Sequence, residues 1–133
     1  MRTRFADSFF FYAFLDKNDE AHSRAAEVFD DLDTTILTTA WVLLEVANGF
    51  AGAKNRARFV DFVQFLRSSE FVVIVPADQG DFEEGMRLYA DRLDKEWSLT
   101  DCISFVVMKR RGLKEALTGD HHFEQAGFIA LLK

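Results

Sequence analysis

Hydrophobic positions along the chain fall into two patterns, short unbroken runs and longer stretches with helical spacing. The short runs predict strands, and they lie at residues 3–7, 34–38, 71–75, 116–118 and 129–132. In the longer stretches apolar residues recur three and four positions apart, which predicts amphipathic helices. These helices are expected at residues 8–15, 19–32, 40–50, 55–67, 81–93, 98–111 and 120–126. Strands and helices therefore alternate, which is typical of an α/β domain with a central, mainly parallel sheet and helices on both faces.

Three of these segments allow more specific predictions. Asp19 can accept hydrogen bonds from free backbone N–H groups, so it is expected to cap the second helix, whose apolar face would extend to Leu32. The run Phe71–Val75 is apolar throughout and is expected to be a strand covered on both faces. One face of the helix at 81–93 carries Phe82, Met86, Tyr89, Ala90 and Leu93.

The size and composition favour a single folded domain that spans residues 1–133. Apolar residues make up 49% of the chain and 15 residues are Phe, which is enough for a well-filled core. The single cysteine, Cys102, excludes an internal disulfide and favours a reducing, cytoplasmic location. No apolar stretch approaches the roughly 20 residues that a membrane span needs, so no membrane association is expected.

The net charge of −6 counts against nucleic-acid binding through the overall field of the protein. A nucleic-acid partner would need a local basic patch, or metal ions that offset the acidic charge. The basic residues form two clusters, Lys54, Arg56 and Arg58 in the first and Lys109, Arg110, Arg111 and Lys114 in the second. Such clusters are usually solvated helix faces or helix ends, although either could guide an RNA backbone.

Three acidic residues are predicted at the edge of the sheet where the strands end. Asp7 follows the first strand, Asp120 follows the strand at 116–118, and Asp101 lies in the first turn of its helix. Ligands of open α/β folds bind at this edge, near a topological switch point. Glu45 differs, because it lies about one and a half turns into an otherwise apolar helix.

Each acid also has a purely structural explanation. Asp7 and Asp120 could each cap the helix that follows. Ser98 and Asp101 fit a capping box, and Glu45 could be an exposed residue at the border of an apolar face. A shared site explains the four acids together, because clustered carboxylates need cations to compensate their repulsion. Oxygen ligands select Mg²⁺ or Mn²⁺, and two such ions about 4 Å apart can promote phosphodiester hydrolysis.

Several segments resemble the PIN domain family. Phe5–Ser8 before an apolar helix is similar to the opening of PIN domains, and Asp19–His22 is similar to the start of their second helix. Glu45 in its apolar helix matches their second acid. The segments Ser98–Cys102 and Ala116–Phe123 are similar to the Ser-Leu-Thr-Asp-Ala/Cys and Leu-x-Thr-x-Asp-x-x-Phe blocks that carry the third and fourth acids. The resemblance spans essentially the whole chain, with its motifs in the right order.

The resemblance implies a PIN-like three-layer α/β/α domain with a central, mainly parallel sheet of about five short strands. It also implies the function of VapC-type toxins, which is metal-dependent endoribonuclease activity on RNA, with an antitoxin as partner. A homodimer is expected from the same likeness and from the aromatic excess. The implied metal-site and catalytic residues are Asp7, Glu45, Asp101 and Asp120, with Ser8 and Thr118 as supporting hydroxyls. Gly119 stands where some members carry another acid, so the number of bound ions, one or two, stays open.

Other residues and functions remain as alternatives. His22 is expected to pack or to form a hydrogen bond at the start of its helix, while His121 and His122 are expected to be exposed, with substrate contact as the alternative. The second functional hypothesis is a catalytically inactive PIN-like scaffold that keeps its acids for structure or weak metal binding. The third is an unrelated doubly wound domain whose acids are only caps. Motifs for nucleotide-binding loops, Cys-x-x-Cys and His-Glu-x-x-His are absent.

Overall fold

The five predicted strands form one fully parallel sheet in the computed structural model, which describes residues 1–133. The strands are β1 (Arg2–Ala6), β2 (Thr34–Thr39), β3 (Val72–Val75), β4 (Glu115–Leu117) and β5 (Ile129–Ala130). Their order across the sheet is β3-β2-β1-β4-β5. The α/β prediction with a central parallel sheet is therefore confirmed.

The predicted helices are all present, with small shifts at their ends. They are α1 (Ser8–Leu15), α2 (His22–Asp30), α3 (Ala40–Gly49), α4 (Ala53–Ser68), α5 (Gln79–Asp91), α6 (Leu99–Arg110) and α7 (His121–Gln125). None of these helices combines the length and the apolar character that crossing a membrane would require.

The direction of the crossovers changes between β1 and β4. From β1 the chain moves to β2 and then to β3, whereas from β4 it moves the other way to β5. Right-handed crossovers in opposite directions place their helices on opposite faces of the sheet, which gives three layers. The gap between the carboxyl ends of β1 and β4 is therefore the topological switch point, where ligands of such folds bind.

Phenylalanine dominates the core beneath this edge. Phe5, Phe10, Phe11 and Phe123 are completely buried. The Phe10 and Phe11 rings meet edge-on with centroids 5.3 Å apart, and Phe105 and Phe123 do so at 4.9 Å. Such pairs add roughly 1 kcal/mol each beyond the area that they bury, so the helices beside the switch point are firmly held.

The carboxyl end of β1 is also fixed by a polar contact. Thr38 on β2 is fully buried, and its hydroxyl donates a hydrogen bond of 2.8 Å to the backbone carbonyl of Ala6. Ala6 pairs in register with Leu117 on the other side. The residue that follows, Asp7, therefore starts from a backbone that is held from both neighbouring strands.

Two local expectations are wrong. Asp19 does not cap α2, because its carboxylate turns to the N–H of Ala21 at 2.8 Å, and the helix begins at His22 without a side-chain cap. The same helix stops at Asp30, which leaves Leu32 in a turn and 71% exposed.

The strand β3 is not covered on both faces either. It lies at the edge of the sheet and pairs only with β2, so Val73 is 39% exposed. Its continuous apolar run is typical of a central strand, but the order of the strands places it at the edge of the sheet. An exposed apolar edge of this kind is a potential surface for contact with another chain.

The apolar face of α5 lies mostly outside the core. Met86 is 40% and Tyr89 is 49% exposed, while the buried positions of the helix are Asp81 and Gly85. The Asp81 carboxylate pairs with the guanidinium of Arg110 on α6. The close contact of α5 with α6 therefore uses a small residue and an ion pair in place of the apolar residues.

We expect Gly85→Ala to destabilise the fold by about 1–3 kcal/mol. A Cβ at this position would lie 2.4 Å from Cγ1 and 3.1 Å from Cα of Ile103, so α6 would have to move. Gly80→Ala makes the same change in the same helix, where only the flexible Asp78 carboxylate is near, and it should be neutral or slightly stabilising. Urea unfolding of both variants measures the difference, and equal stabilities would contradict this account of the packing.

Candidate active site

Three of the four candidate acids lie at the first turns of helices, and all three act as caps. The Asp7 carboxylate accepts the N–H of Phe10 at 3.4 Å, and that of Asp120 accepts the N–H of His122 at 2.9 Å. Asp101 and Ser98 form the expected capping box, with bonds of 3.0 and 3.2 Å. The capping explanations are confirmed, but a carboxylate has about four acceptor positions, so capping leaves capacity for further ligands.

Thr118 connects two of these acids across the switch point. Its hydroxyl donates to Oδ2 of Asp7 at 2.7 Å and accepts the backbone N–H of Asp120 at 3.0 Å. Thr118 is completely buried at the end of β4, and Asp7 is 5% exposed at the end of β1. The sheet register thus brings a residue at position 7 into direct contact with one at position 118.

His122 connects the third acid to the other two, and sequence reasoning missed this. Its Nδ1 lies 3.1 Å from Oδ2 of Asp101 and 3.6 Å from Oδ1 of Asp120. Its side chain is 20% exposed, whereas that of His121 is 65% exposed. The expectation of exposure is therefore right for His121 and wrong for His122. The only signal in the sequence is that His122 falls in the first turn after a capping aspartate.

The cluster carries more negative charge than its surroundings compensate. Burial raises the pKa of Asp7 to about 8 despite the lowering effect of the hydrogen bonds from Thr118 and Phe10, and repulsion from Asp120 and Asp101 adds to the increase. Burial likewise raises the pKa of Asp101, against the opposing hydrogen bonds from Ser98 and His122. These carboxyls are therefore held in a place where their charged forms are disfavoured unless a cation is near.

The donor groups fit a divalent metal ion. Asp7, Asp101 and Asp120 offer carboxylate oxygens, which are the preferred ligands of Mg²⁺ and Mn²⁺. Donor atoms of Asp120, His121 and His122 also lie within 4.8 Å of one another. Burial and, to a smaller extent, repulsion from Asp120 and Asp101 raise the pKa of Asp7, and a nearby cation would favour its charged form.

Glu45 and Ser8 stand apart from the hydrogen-bonded network. Glu45 is half-buried on α3, where its backbone carbonyl accepts the Tyr12 hydroxyl at 3.2 Å. Burial raises the pKa of Tyr12, and the negative charge of Glu45 raises it further. The neighbouring charges that raise the pKa of Asp7 belong to Asp120 and Asp101, and Glu45 is not among them. Ser8 is the first residue of α1 and is half-buried. The structure thus brings three of the four acids into mutual electrostatic contact.

Gly119 has a clear steric reason to lack a side chain. A Cβ at this position would lie 2.5 Å from the ring of Phe9, which packs against the loop between Thr118 and Asp120. An additional acid at position 119 would have to displace that ring. The aromatic ring thus occupies the space that another carboxylate would need.

In metal-free protein we expect the free energy of unfolding to fall as the pH rises from about 4 to about 8. The folded state still holds the Asp7 proton in this range, whereas the unfolded state, with an ordinary pKa of 3.8, has released it. The unfolded state then binds fewer protons, so a higher pH favours unfolding. Asp7→Asn removes this contribution, so the difference in unfolding free energy between the two proteins should change by on the order of a few kcal/mol across the range.

The measurement is urea unfolding at a series of pH values in the presence of a chelator. The quantity of interest is the difference between wild type and Asp7→Asn, because other titrating groups cancel in it. The variant should be the more stable protein at pH 8. A difference that does not change with pH would contradict the raised pKa.

Comparisons with known proteins identify the family and the fold of this chain. The family model described as PIN domain matches residues 5–129. A curated relative from two strains of Mycobacterium tuberculosis, the 23S rRNA-specific endonuclease VapC20, is 29% identical over 132 residues, which covers 94% of this chain and 95% of the relative.

Two solved structures share the fold. The crystal structure of Mycobacterium tuberculosis VapC20, described as a sarcin-ricin loop cleaving toxin, superposes with a TM-score of 0.85 at 22% identity and covers 98% of both chains. The structure of FitAcB from Neisseria gonorrhoeae gives a TM-score of 0.64 at 20% identity over 97% of this chain and 95% of that one. These matches exclude an unrelated doubly wound domain and confirm the predicted fold. Since the family model covers nearly its whole length, this chain belongs to the PIN domain family.

Proposed function

We propose that this protein is a metal-dependent endoribonuclease that hydrolyses RNA phosphodiester bonds as the toxin of a toxin–antitoxin pair. The observation that carries the proposal is the trio Asp7, Asp101 and Asp120 at the switch point, where burial and neighbouring carboxylates disfavour the charged forms of Asp7 and Asp101. Uncompensated acids that are held close together lower the stability of the folded state. Such an arrangement is typical of a functional site, and here the function would be to bind a cation.

The substrate class is supported by the relatives. The curated relative is named for its action on 23S rRNA, and it matches this chain over 94% of its length. The region that the PIN domain model matches, residues 5–129, includes all three clustered acids. RNA is therefore the substrate that we propose, in spite of the net charge of −6.

In the proposed mechanism Asp7, Asp101, Asp120 and Glu45 would hold Mg²⁺ or Mn²⁺. Such an ion, when bound, supplies Lewis acidity that activates water and offsets charge at the reacting phosphate. Thr118 orients Asp7 through its 2.7 Å hydrogen bond and leaves the second oxygen of that carboxylate on the side of Phe10. His122 holds Asp101 in place by its contact at 3.1 Å. The capping bonds fix the remaining orientations, so the ligand oxygens are positioned before substrate arrives.

We also propose two protein partners, an antitoxin and a second copy of this chain. The support for a homodimer is the apolar stripe of α5, in which Met86 and Tyr89 are 40% and 49% exposed. The antitoxin follows from the toxin description of the matched structure. Light scattering of the purified chain measures its mass, and a monomer at micromolar concentration would contradict the dimer.

We expect Asp7→Asn to reduce RNA cleavage by roughly a hundredfold or more while the fold persists. Asparagine caps helices as well as aspartate does, so the cap of α1 survives and only the charge is lost. Asp61→Asn is the matched control, because Asp61 is an exposed residue of α4 away from the cluster and should leave cleavage unchanged. Cleavage of a labelled RNA pool with Mg²⁺ or Mn²⁺ is the assay.

Two outcomes of that assay would count against the nuclease. Full cleavage by Asp7→Asn would mean that the cluster is not the reaction centre. Absence of cleavage by wild-type protein, together with no calorimetric signal at millimolar Mn²⁺, would favour the inactive scaffold. Glu45→Gln tests the fourth acid in the same way, and unchanged Mn²⁺ affinity in that variant would remove Glu45 from the site.

We expect Thr118→Val to weaken Mn²⁺ binding by about tenfold to a hundredfold. The substitution keeps the shape of the side chain but removes the hydroxyl that orients Asp7 and accepts the Asp120 N–H. Thr3→Val, on the exposed part of β1, is the control and should bind as wild type does. Isothermal titration gives both affinities, and equal values would show that the hydroxyl has no influence on the site.

A further inference from the structure

A cleft of about 790 Å³ lies along α6, and none of the clustered acids lines it. Its walls are formed by α5, α6 and the segment that follows α7. Trp97 and Gln125 line one part of it, and Lys109 and Lys114 line another. The volume lies within the range of ordinary ligand sites.

Most of the cations in this cleft are free of partners. Arg87, Lys109 and Lys114 form none of the ion pairs found within 4.0 Å in this protein. Glu84 and Asp91 on α5 are the acids of the lining, so the cleft is net positive in a chain of net charge −6. A local positive field in an acidic protein favours an anionic ligand.

A planar surface accompanies these charges. The guanidinium of Arg92 lies 4.9 Å from the centroid of the Trp97 ring, and its orientation is fixed by two hydrogen bonds to Asp94, of 2.9 and 3.0 Å. Arg92 lines the cleft and its side chain is still 39% exposed, so it remains accessible to a ligand. Guanidinium planes of this kind stack on nucleobases.

Gln125 adds a directional donor. Its Oε1 accepts the indole N–H of Trp97 at 3.0 Å. Because an indole nitrogen can only donate, this contact fixes which end of the amide is oxygen, and the NH₂ group is left for another acceptor. Base edges and phosphates both supply such acceptors.

The cleft begins next to the segment that carries Asp101 and extends away from it along α6. Trp97 immediately precedes Ser98, the cap of α6, and Gln125 ends α7, the helix that Asp120 caps. Lys109 lies eight residues after Asp101 on α6, which is about 12 Å along the helix axis. A strand of RNA with one phosphate at the acids could therefore reach the cleft within a few nucleotides.

We propose that this cleft binds a nucleotide of the RNA strand that lies a few nucleotides from the bond that is cut, with its base on Arg92 and phosphates near Lys109 and Lys114. The inference rests on the proposed ribonuclease function and adds a second contact surface to it. It explains how a chain of net charge −6 holds a polyanion. An acidic peptide would pair with the positive charges, whereas a nucleotide would pair with them and also stack its base on the guanidinium and accept a hydrogen bond from the amide.

The test measures binding of a short fluorescein-labelled single-stranded RNA of mixed sequence to Asp7→Asn protein, so that cleavage does not interfere. Lys109→Gln with Lys114→Gln should weaken the affinity by on the order of tenfold near physiological salt and lower the salt slope by about 1.4, since each phosphate contact on a single strand contributes about 0.7. Lys17→Gln with Arg67→Gln removes the same charge from exposed positions outside both basic clusters and is the control. Arg92→Lys keeps the charge but loses the plane, and it should weaken binding with no change in slope.

The outcomes separate this inference from the proposed function. Equal affinity and slope in the cleft variant and the control would overturn the inference even if wild-type protein cleaves RNA. Loss of binding confined to the cleft variant would support it even if no cleavage is found. The last measurement uses a free mononucleotide. If the mononucleotide alone binds at micromolar concentration and the cleft variant loses that binding, the cleft is a small-molecule site and the assignment to RNA is overturned. Failure of the mononucleotide to compete with the oligonucleotide would support it.

Discussion

The hydrogen bond between Thr118 and Asp7 joins the ends of two strands whose crossovers leave in opposite directions, and the site depends on it. Parallel strands end at the same edge, so the sheet register alone brings positions 7 and 118 together. The same hydroxyl also receives the backbone N–H of Asp120. One buried hydroxyl thus sets the relation between two acids that lie more than a hundred residues apart in the sequence.

The electrostatics of the cluster oppose folding, while the packing around it favours folding. Charged Asp7 is disfavoured by burial and by two neighbouring acids. The compensation comes from completely buried residues at the same edge, among them Phe10 and Phe123, and from the Thr38 bond that fixes the end of β1. This division of labour is typical of functional sites, where local instability is tolerated because the surrounding structure is rigid.

The fold could be predicted from the sequence because each element carries its own periodicity, and Asp7, Asp101 and Asp120 could be located because they follow strands or open helices. His122 could not be placed in this way. Whether its ring points to solvent or to Asp101 depends on how α6 and α7 pack, and a five-residue helix carries too little periodicity to show it. The exposure of Val73 depends on the strand order, which is a property of the whole sheet. Asp19 failed as a cap for a local reason, since its carboxylate was already engaged by the N–H of Ala21.

The double use of three aspartates as caps and as members of the acidic cluster limits how this protein can change over evolutionary time. A drift to alanine at any of them would lose the charge and a cap worth about 1 kcal/mol together. A drift to asparagine would lose the charge and keep the helix. Descendants that abandoned the chemistry but kept the shape would therefore be expected to carry amides at these positions, which makes the residue types themselves a record of whether a given lineage still relies on the site.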